Sequence, residues 1–595
     1  MYLILRFVFA AAILGAMVSG LQEMCHAQTT SIKSPDPVVA PWGVSASSSS
    51  YRDREHWFPR MSAAGVTMVR LFPEWNSFEP ERGKWNWEPG DALLKSAGDH
   101  NLEINAILMG AAHGAKGIHT FPVDNLDDWS RFVTTVVGRY HKRIRHWEVW
   151  NEGNGGFNDG QHTTVDYAKL AVATYQAARK ADPQARLGLT VASFDVPYLH
   201  QTLLEMAKTG HPAAFDYLCI HPYEIADGLA DPDGEVPLLW MASILKDMLK
   251  STAPEKQDAE IWITEISRRI QSTGQVVTEQ EAAKSFAKIY TMSIAQGIRR
   301  IQWFEGQDPA GEDQGFGLLN RNGAERAAYQ TLKAMTSILG ASPRYLGWVA
   351  LGRESRGYGF VFAGSQGPVL AAWMPAGLED RSVSFPVDVQ AGVASMAPSI
   401  LKAGQFLELS DTPLFVTGLP NNFVTQATEN SSRPFPWGGN FSRAKVVTCE
   451  PGSPDKQGGI AQVGRHQSPV IRFPDGSTGI LVPGDIGHPV RFYVHPSFAN
   501  FSRREYYVRA TVRRVAEGNI GMNLLYEVAD SKGKSPYANT GKWGGFSNET
   551  GWQTCTWQIQ DACFSKMWGY DLVLRPEQSV PFVIGKLEVS TEPFP

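Results

Sequence analysis

From residue 42 to about residue 340, short apolar runs of strand length alternate with longer segments of helical periodicity. That is the pattern of a parallel sheet built from repeated strand–helix units. The strand-like runs cover residues 42–46, 66–72, 103–109, 144–151, 186–192, 217–221, 261–265 and 300–304. Helical segments such as 126–140, 164–181 and 279–296 fall between them. Eight such units over about 300 residues fit a closed (β/α)8 TIM barrel of the α/β class. A doubly wound open sheet is the alternative. No Gly-rich phosphate loop follows the first strand, which removes the usual nucleotide-binding reason for that topology.

Past residue 340 the helical pattern stops. Residues 341–420 carry short alternating runs with Gly and Pro turns, as a small β-sandwich would. Residues 421–438, with Asn-Asn, Ser-Ser and Pro-Phe-Pro, have the composition of a linker. From 439 to 595 alternation returns in long segments, including 505–515 and 582–589, and predicts a jelly-roll sandwich. At the other end, Arg6 precedes an apolar run over 7–18, followed by a polar stretch ending Cys25-His26-Ala27. This reads as a signal peptide over residues 1–27, and the mature chain is expected to be exported: periplasmic, cell-surface or secreted.

Composition narrows the partners. Hydrophobic residues make up 43% of the 595 and charged residues 19%, so most of the chain can bury cores. Lys plus Arg number 55 against 60 for Asp plus Glu, and no basic block stands out, which argues against nucleic acid. The 29 Phe, 18 Trp and 18 Tyr leave carbohydrate open, since aromatic rings stack on sugars as well as filling cores. Beyond the leader lie Cys219, Cys449, Cys555 and Cys563, and one disulfide is possible among the last three. No Cys/His spacing resembles a zinc site, and the segment 231–235 lacks the full calcium-loop pattern. Neither a metal nor a cofactor is expected.

In a barrel, chemistry belongs at the carboxyl ends of the strands. Strand four ends Trp150-Asn151-Glu152-Gly153-Asn154 and strand seven ends Ile263-Thr264-Glu265. Those strands face each other across a barrel mouth. Cleaving a glycosidic bond needs one carboxylic acid to protonate the leaving oxygen and one carboxylate on the other side of the anomeric carbon. Glu148, inside strand four, reads instead as a buried partner of a basic group.

Trp150-Asn151-Glu152, His221-Pro222-Tyr223, Thr264-Glu265 and Trp303, in that order on strands four, six, seven and eight, resemble the signature of clan A retaining glycoside hydrolases. The resemblance covers residues 42–340, and the following small sandwich is similar to that of family 39-type members. One departure is Gly153, where many relatives carry proline. The resemblance implies that Glu152 is the general acid and base and Glu265 the nucleophile. It also implies a Glu152 carboxyl raised above its ordinary range and a carboxyl separation of about 5 to 5.5 Å. By the same analogy, Arg70 and Tyr223 donate to Glu265, Asn151 holds the sugar 2-hydroxyl, His221 and His113 bind hydroxyls or orient neighbours, and Trp303 stacks on the sugar. Trp75, Glu74 and Glu305 lie just beyond strand ends, where they can reach substrate subsites.

The implied activity is hydrolysis of a β-type linkage in an oligo- or polysaccharide. A transglycosylase would use the same carboxylates, and a catalytically dead barrel would act as a carbohydrate-binding scaffold. The jelly roll resembles a carbohydrate-binding module, with Trp437, Trp543, Trp552, Trp557 and Trp568 as candidate rings. Trp543 and Phe546 form the expected exposed pair, and Trp552 and Trp557 read as core. Sugar binding and a purely structural role are its two readings. A monomer is the default.

Overall fold

The computed structural model describes residues 40–595 except 112–119, 159–161, 271–276, 312–313, 395–397, 454–456, 465–467, 486, 502–503 and 530–535. The expected leader and His113 therefore lie outside the described residues.

Eight parallel strands close a barrel: β1 (Trp42–Ser45), β2 (Met68–Arg70), β3 (Glu103–Leu108), β4 (His146–Val149), β5 (Arg186–Ala192), β6 (Tyr217–His221), β7 (Glu260–Ile266) and β8 (Arg300–Phe304). Pairing of Gly43 with Gln302 and of Val44 with Trp303 seals β1 against β8. The strands read as continuous apolar runs because both of their faces are covered, one by the barrel interior and one by helices. Helix Leu126–Tyr140 shows how the outer layer forms. Trp129, Phe132, Val133, Val136, Val137 and Tyr140 recur at helical spacing and are buried. Asp127 and Asp128 in the first turn and Arg139 in the last complement the helix dipole. Capping boxes at Thr163 with Asp166 and at Thr278 with Glu281 start the helices Thr164–Ala181 and Glu279–Ala295.

After the last barrel helix, Ala327–Leu339, a six-stranded antiparallel sheet runs in the order Ser399–Leu401, Val389–Val393, Leu414–Thr417, Gly367–Trp373, Tyr358–Gly364 and Arg344–Trp348. Both faces of this sheet are covered, with strand periodicity. Phe360, Phe362 and Trp373 join the core of the barrel, while Val361 and Leu370 join a separate core with Val383 and Leu409 from the paired strands Asp380–Ser384 and Phe406–Leu409.

The segment read as a linker is built into the fold. Asn421–Asn430 is a helix that buries Ala427 and Asn430, and Asn430 Nδ2 donates to the Trp348 carbonyl. Trp437 is buried and donates to the Gly357 carbonyl. The polar composition belongs to the outer face of this helix and its ends.

The C-terminal domain is a sandwich of two antiparallel sheets. One is centred on Phe582–Ser590, with Arg504–Arg514 and Trp552–Ala562 alongside; the other runs Ile460–Val463, Val490–Val494, Leu572–Pro576, Gly521–Glu527 and Tyr537–Asn539. Cys219, Cys449, Cys555 and Cys563 are buried free thiols, so the possible disulfide is not formed. Trp557 is core, and Phe546, expected to be exposed, is buried against Phe582. Trp543 and Trp568 are the exposed tryptophans of the domain. Among the described residues, no helix is long and apolar enough to cross a membrane.

Candidate active site

Arg70, the last residue of β2, organises the barrel mouth. It is 1% exposed, and its guanidinium donates to four side chains, the longest bond running from Nη1 to Ser45 Oγ at 3.4 Å. Nε donates to Glu148 Oε2 at 2.8 Å, Nη1 to Glu265 Oε1, and Nη2 to Asn151 Oδ1 at 2.6 Å. A guanidinium has five donors in a fixed fork and no acceptor, so each partner must present an oxygen. This fixes the Asn151 amide with Oδ1 toward Arg70 and leaves Nδ2 as the donor for a ligand. Glu148 is fully buried and also accepts from Asn105 Nδ2 at 2.5 Å and Thr190 Oγ1 at 3.1 Å, so the Arg70 charge is balanced deep in the barrel.

Glu265 reaches this guanidinium from β7, where the register against β8 shifts between Ile263 and Ile266. Such an irregularity breaks the strict side-to-side alternation of a strand. The consecutive side chains Thr264 and Glu265 can then both engage the site. Glu265 Oε2 accepts from the Tyr223 hydroxyl at 3.0 Å, and Thr264 Oγ1 lies 3.0 Å from His221 Nε2.

Glu152 follows β4 in a strained turn, with φ of 66° at Trp150 and 47° at Glu152. Its Oε1 is 2.8 Å from Nδ1 of the fully buried His221. The turn is braced from behind. Asn154 accepts from the Ala192 amide at 2.7 Å and donates to Asp195 at 2.8 Å, and the Tyr198 hydroxyl donates to the Gly153 carbonyl at 3.2 Å. Burial pushes the Asp195 carboxyl up to about 6. Gly153 has a steric reason: a Cβ there would lie 2.9 Å from the Phe121 ring and 3.1 Å from Tyr167, so the proline that the resemblance would place there has no room.

The electrostatics of Glu152 reverse the sequence expectation. Burial pushes its carboxyl up, but the hydrogen bond to His221, the His221 charge and the Arg70 charge together outweigh it, and the net shift is downward. One oxygen from each of Glu152 and Glu265 and one His221 nitrogen lie within 4.8 Å of one another. These three are the donor set a metal would use. The Arg70 guanidinium already bonded to Glu265 puts a fixed positive charge beside them and opposes a second cation.

Two expected subsite aromatics are core instead. Trp303 is 1% exposed, packs on Phe286 of an outer helix and donates to the Phe316 carbonyl. Its neighbour Phe304 pairs with Ser45, which in turn pairs with Arg70, so Phe304 shares the inward side of the barrel mouth. Trp75 is likewise 1% exposed, stacked on Phe132 and bonded to Glu79. Glu305 is buried and accepts from the Ser47 amide and from the hydroxyls of Ser47 and Ser50, so it ties two loops together rather than facing a cleft. Sequence reasoning gave no separate role to Phe304, Thr264, Asn154 or Asp195. Phe304 ends β8 and Thr264 lies near the end of β7, while Asn154 and Asp195 lie in the loops after β4 and β5; for Phe304 the signal lay in the strand register.

Residues 73–191 match the model of Glycosyl hydrolase family 10, a stretch that holds Asn151 and Glu152 but not Arg70, His221, Tyr223 or Glu265. Endo-1,4-beta-xylanase 3 of Hypocrea jecorina is 29% identical over 129 residues, covering 20% of this chain and 37% of the relative. Endo-1,4-beta-xylanase 2 of Claviceps purpurea is 30% identical over 133 residues, covering 21% and 40%. The chain thus spans well under half the length of these curated relatives. A family 39 glycoside hydrolase from Bacteroides cellulosilyticus has a similar fold, with a TM-score of 0.52 and 19% identity over 64% of this chain and 80% of that one. The closed eight-stranded parallel barrel and the match across β4 together fit a clan A (β/α)8 glycoside hydrolase.

Proposed function

We propose that this protein is an exported retaining glycoside hydrolase that cleaves a β-linked glycan by double displacement. The observation that carries the reading is the facing pair Glu152 and Glu265, whose nearest oxygens lie within 4.8 Å. Retaining enzymes hold their carboxyl groups about 5 to 5.5 Å apart, whereas inverting ones leave room for water at about 6.5 to 9.5 Å. Export rests on the leader pattern of residues 1–27.

In the first step a Glu265 oxygen attacks the anomeric carbon, the bond to the leaving oxygen breaks, and Glu152 delivers a proton to that oxygen. Glu265 is presented for attack by charge-assisted donation from Arg70 and by the Tyr223 hydroxyl. In the second step Glu152 takes a proton from water, the water oxygen bonds to the anomeric carbon, and the ester to Glu265 breaks. The hydrogen bond to His221 holds the Glu152 carboxyl in place at the barrel mouth. The spare Nδ2 of Asn151 meets the 2-hydroxyl of the sugar. Xylan is the first substrate to try, because the relatives that match across β4 are endo-1,4-beta-xylanases by name.

The test is reducing-sugar release from a panel of β-linked polysaccharides led by xylan, comparing wild type with Glu265→Gln. The reading expects cleavage of at least one substrate by wild type and a loss of several orders of magnitude in the variant. Equal cleavage by both proteins removes Glu265 from the nucleophile role. Retention of a glycan by both without cleavage favours a binding scaffold.

A further inference from the structure

One of the segments through which the C-terminal sandwich meets the barrel is the loop 563–571, which is buried except at Trp568 and Tyr570 and is held by many hydrogen bonds. The fully buried Glu527 carboxylate accepts from the backbone amides of Ser565 at 2.6 Å, Lys566 at 2.8 Å and Met567 at 3.3 Å, and from the Ser565 hydroxyl. Asp571, also fully buried, accepts from the Val494 amide at 2.7 Å and lies 3.4 Å from Lys566 Nζ. Phe564 and Lys566 are kept at φ of 49° and 63°, conformations that persist only where the surroundings over-determine them.

The tip of this loop meets the barrel beside the candidate site. The Met567 carbonyl accepts from the Phe194 amide at 3.3 Å, and a Cβ on Gly569 would sit 3.3 Å from the Glu224 carbonyl oxygen. Glu224 directly follows Tyr223, the donor to Glu265. Its carboxylate accepts from Ser193 Oγ at 2.8 Å, while the Ser193 carbonyl accepts from the His221 amide. Burial pushes the Glu224 carboxyl up and the Glu152 charge adds to this, which places Glu224 within electrostatic reach of the candidate acid.

Trp568 sits between Met567 and Gly569, the two residues that meet the barrel. Trp568 is 36% exposed, whereas eleven of the other tryptophans are buried. It stacks on Tyr537 at 5.3 Å and 28° and stands near Tyr570, over which Arg491 lies at 5.4 Å. A rigid, part-exposed indole backed by other rings is the surface on which the apolar face of a pyranose packs, and pre-ordering it lowers the entropic cost of binding.

We propose that Trp568, backed by Tyr537 and Tyr570, is a distal sugar-binding subsite that the C-terminal sandwich adds to the barrel, stacking a pyranose of the same glycan chain whose scissile bond lies between Glu152 and Glu265. The inference rests on the glycoside-hydrolase reading of the barrel. Its signature is chain-length dependence, because only an oligosaccharide long enough to leave the barrel mouth reaches the loop.

The test is calorimetric binding of xylohexaose and xylobiose to the full chain in the inert Glu265→Gln background. The readout is the ratio of the two affinities. Trp568→Ala is expected to lower that ratio about tenfold, the size of one stacking contact, and Trp568→Phe to restore most of it. Trp543→Ala, at the other exposed tryptophan of the sandwich, is expected to leave the ratio alone. An unchanged ratio in Trp568→Ala, an equal fall in Trp543→Ala, or no binding of xylohexaose by the parent overturns the proposal. Persistent cleavage by Glu265→Gln in the release assay instead overturns the reading of the barrel, whatever the ratio does.

Discussion

Arg70 donates from Nε to Glu148 at 2.8 Å with both side chains essentially out of solvent, so the charge that serves Glu265 is itself paid back inside the barrel. Removing one partner of a buried pair leaves an uncompensated charge, which costs about 3–5 kcal/mol. Glu148→Leu is therefore expected to lower thermal stability by that order and to depress turnover as well, because Arg70 is left without its anchor. Thermal unfolding followed by circular dichroism checks the first effect. A variant as stable as wild type would show that Glu148 does not balance Arg70.

His221 bonds to Glu152 and lowers its carboxyl, against the upward push of burial. If Glu152 is the acid it must carry its proton to act, so activity is expected to fall as pH rises through its titration. In His221→Asn the downward influence of His221 is gone, and burial is opposed only by the Arg70 charge. The basic limb of kcat/KM is then expected to move to higher pH, even though the rate itself falls. A pH–rate profile reads this directly, and a limb that stays put or moves down would detach His221 from the acid.

Trp303 and Phe304 are neighbours on opposite sides of β8. Trp303→Ala removes a fully packed ring from the interface of β8 with its helix layer, and a loss of about 3–5 kcal/mol is expected. Phe304→Ala is expected to raise KM by about tenfold with little change in melting temperature. Unfolding curves and Michaelis constants measured side by side distinguish this from the reverse assignment.

Glu527 in the C-terminal loop is pushed up to about 8 by burial first and by the Asp571 charge next, from an ordinary 4.5. Its folded-state value is thus above its unfolded one. The stability it contributes is fully present below about 4.5 and is lost as pH rises through about 8. Denaturant unfolding between those limits is expected to show declining stability in wild type and a flatter dependence in Glu527→Gln. Equal slopes would place the titration elsewhere.

The barrel and its two facing carboxylates were legible because parallel strands buried on both faces leave long apolar runs, and because a single Glu at a strand end is ordinarily a solvated or ion-paired residue whereas a pair on facing strands fits one reaction. The side on which each aromatic falls was not legible. Alternation in a strand has a period of two, so an offset of one residue exchanges Trp303 for Phe304 at the mouth. The helix Asn421–Asn430 was hidden for another reason: it buries little beyond Ala427 and Asn430, and its composition is that of a loop. The downward shift of Glu152 depends on the distance to His221, a contact across 69 residues of sequence that no local pattern records. Gly153 looked like a departure until the rings of Phe121 and Tyr167 showed why a side chain is excluded there.

The central claim is that Glu265 forms a covalent bond to the sugar. The most direct measurement is mass mapping of the protein after incubation with a fluorinated aryl β-xyloside, whose glycosyl ester forms but hydrolyses slowly. The expected result is one added fluoroglycosyl group on the peptide carrying Glu265, with none in Glu265→Gln. A label on Glu152, or steady turnover of the parent glycoside with no labelled carboxylate, would contradict it.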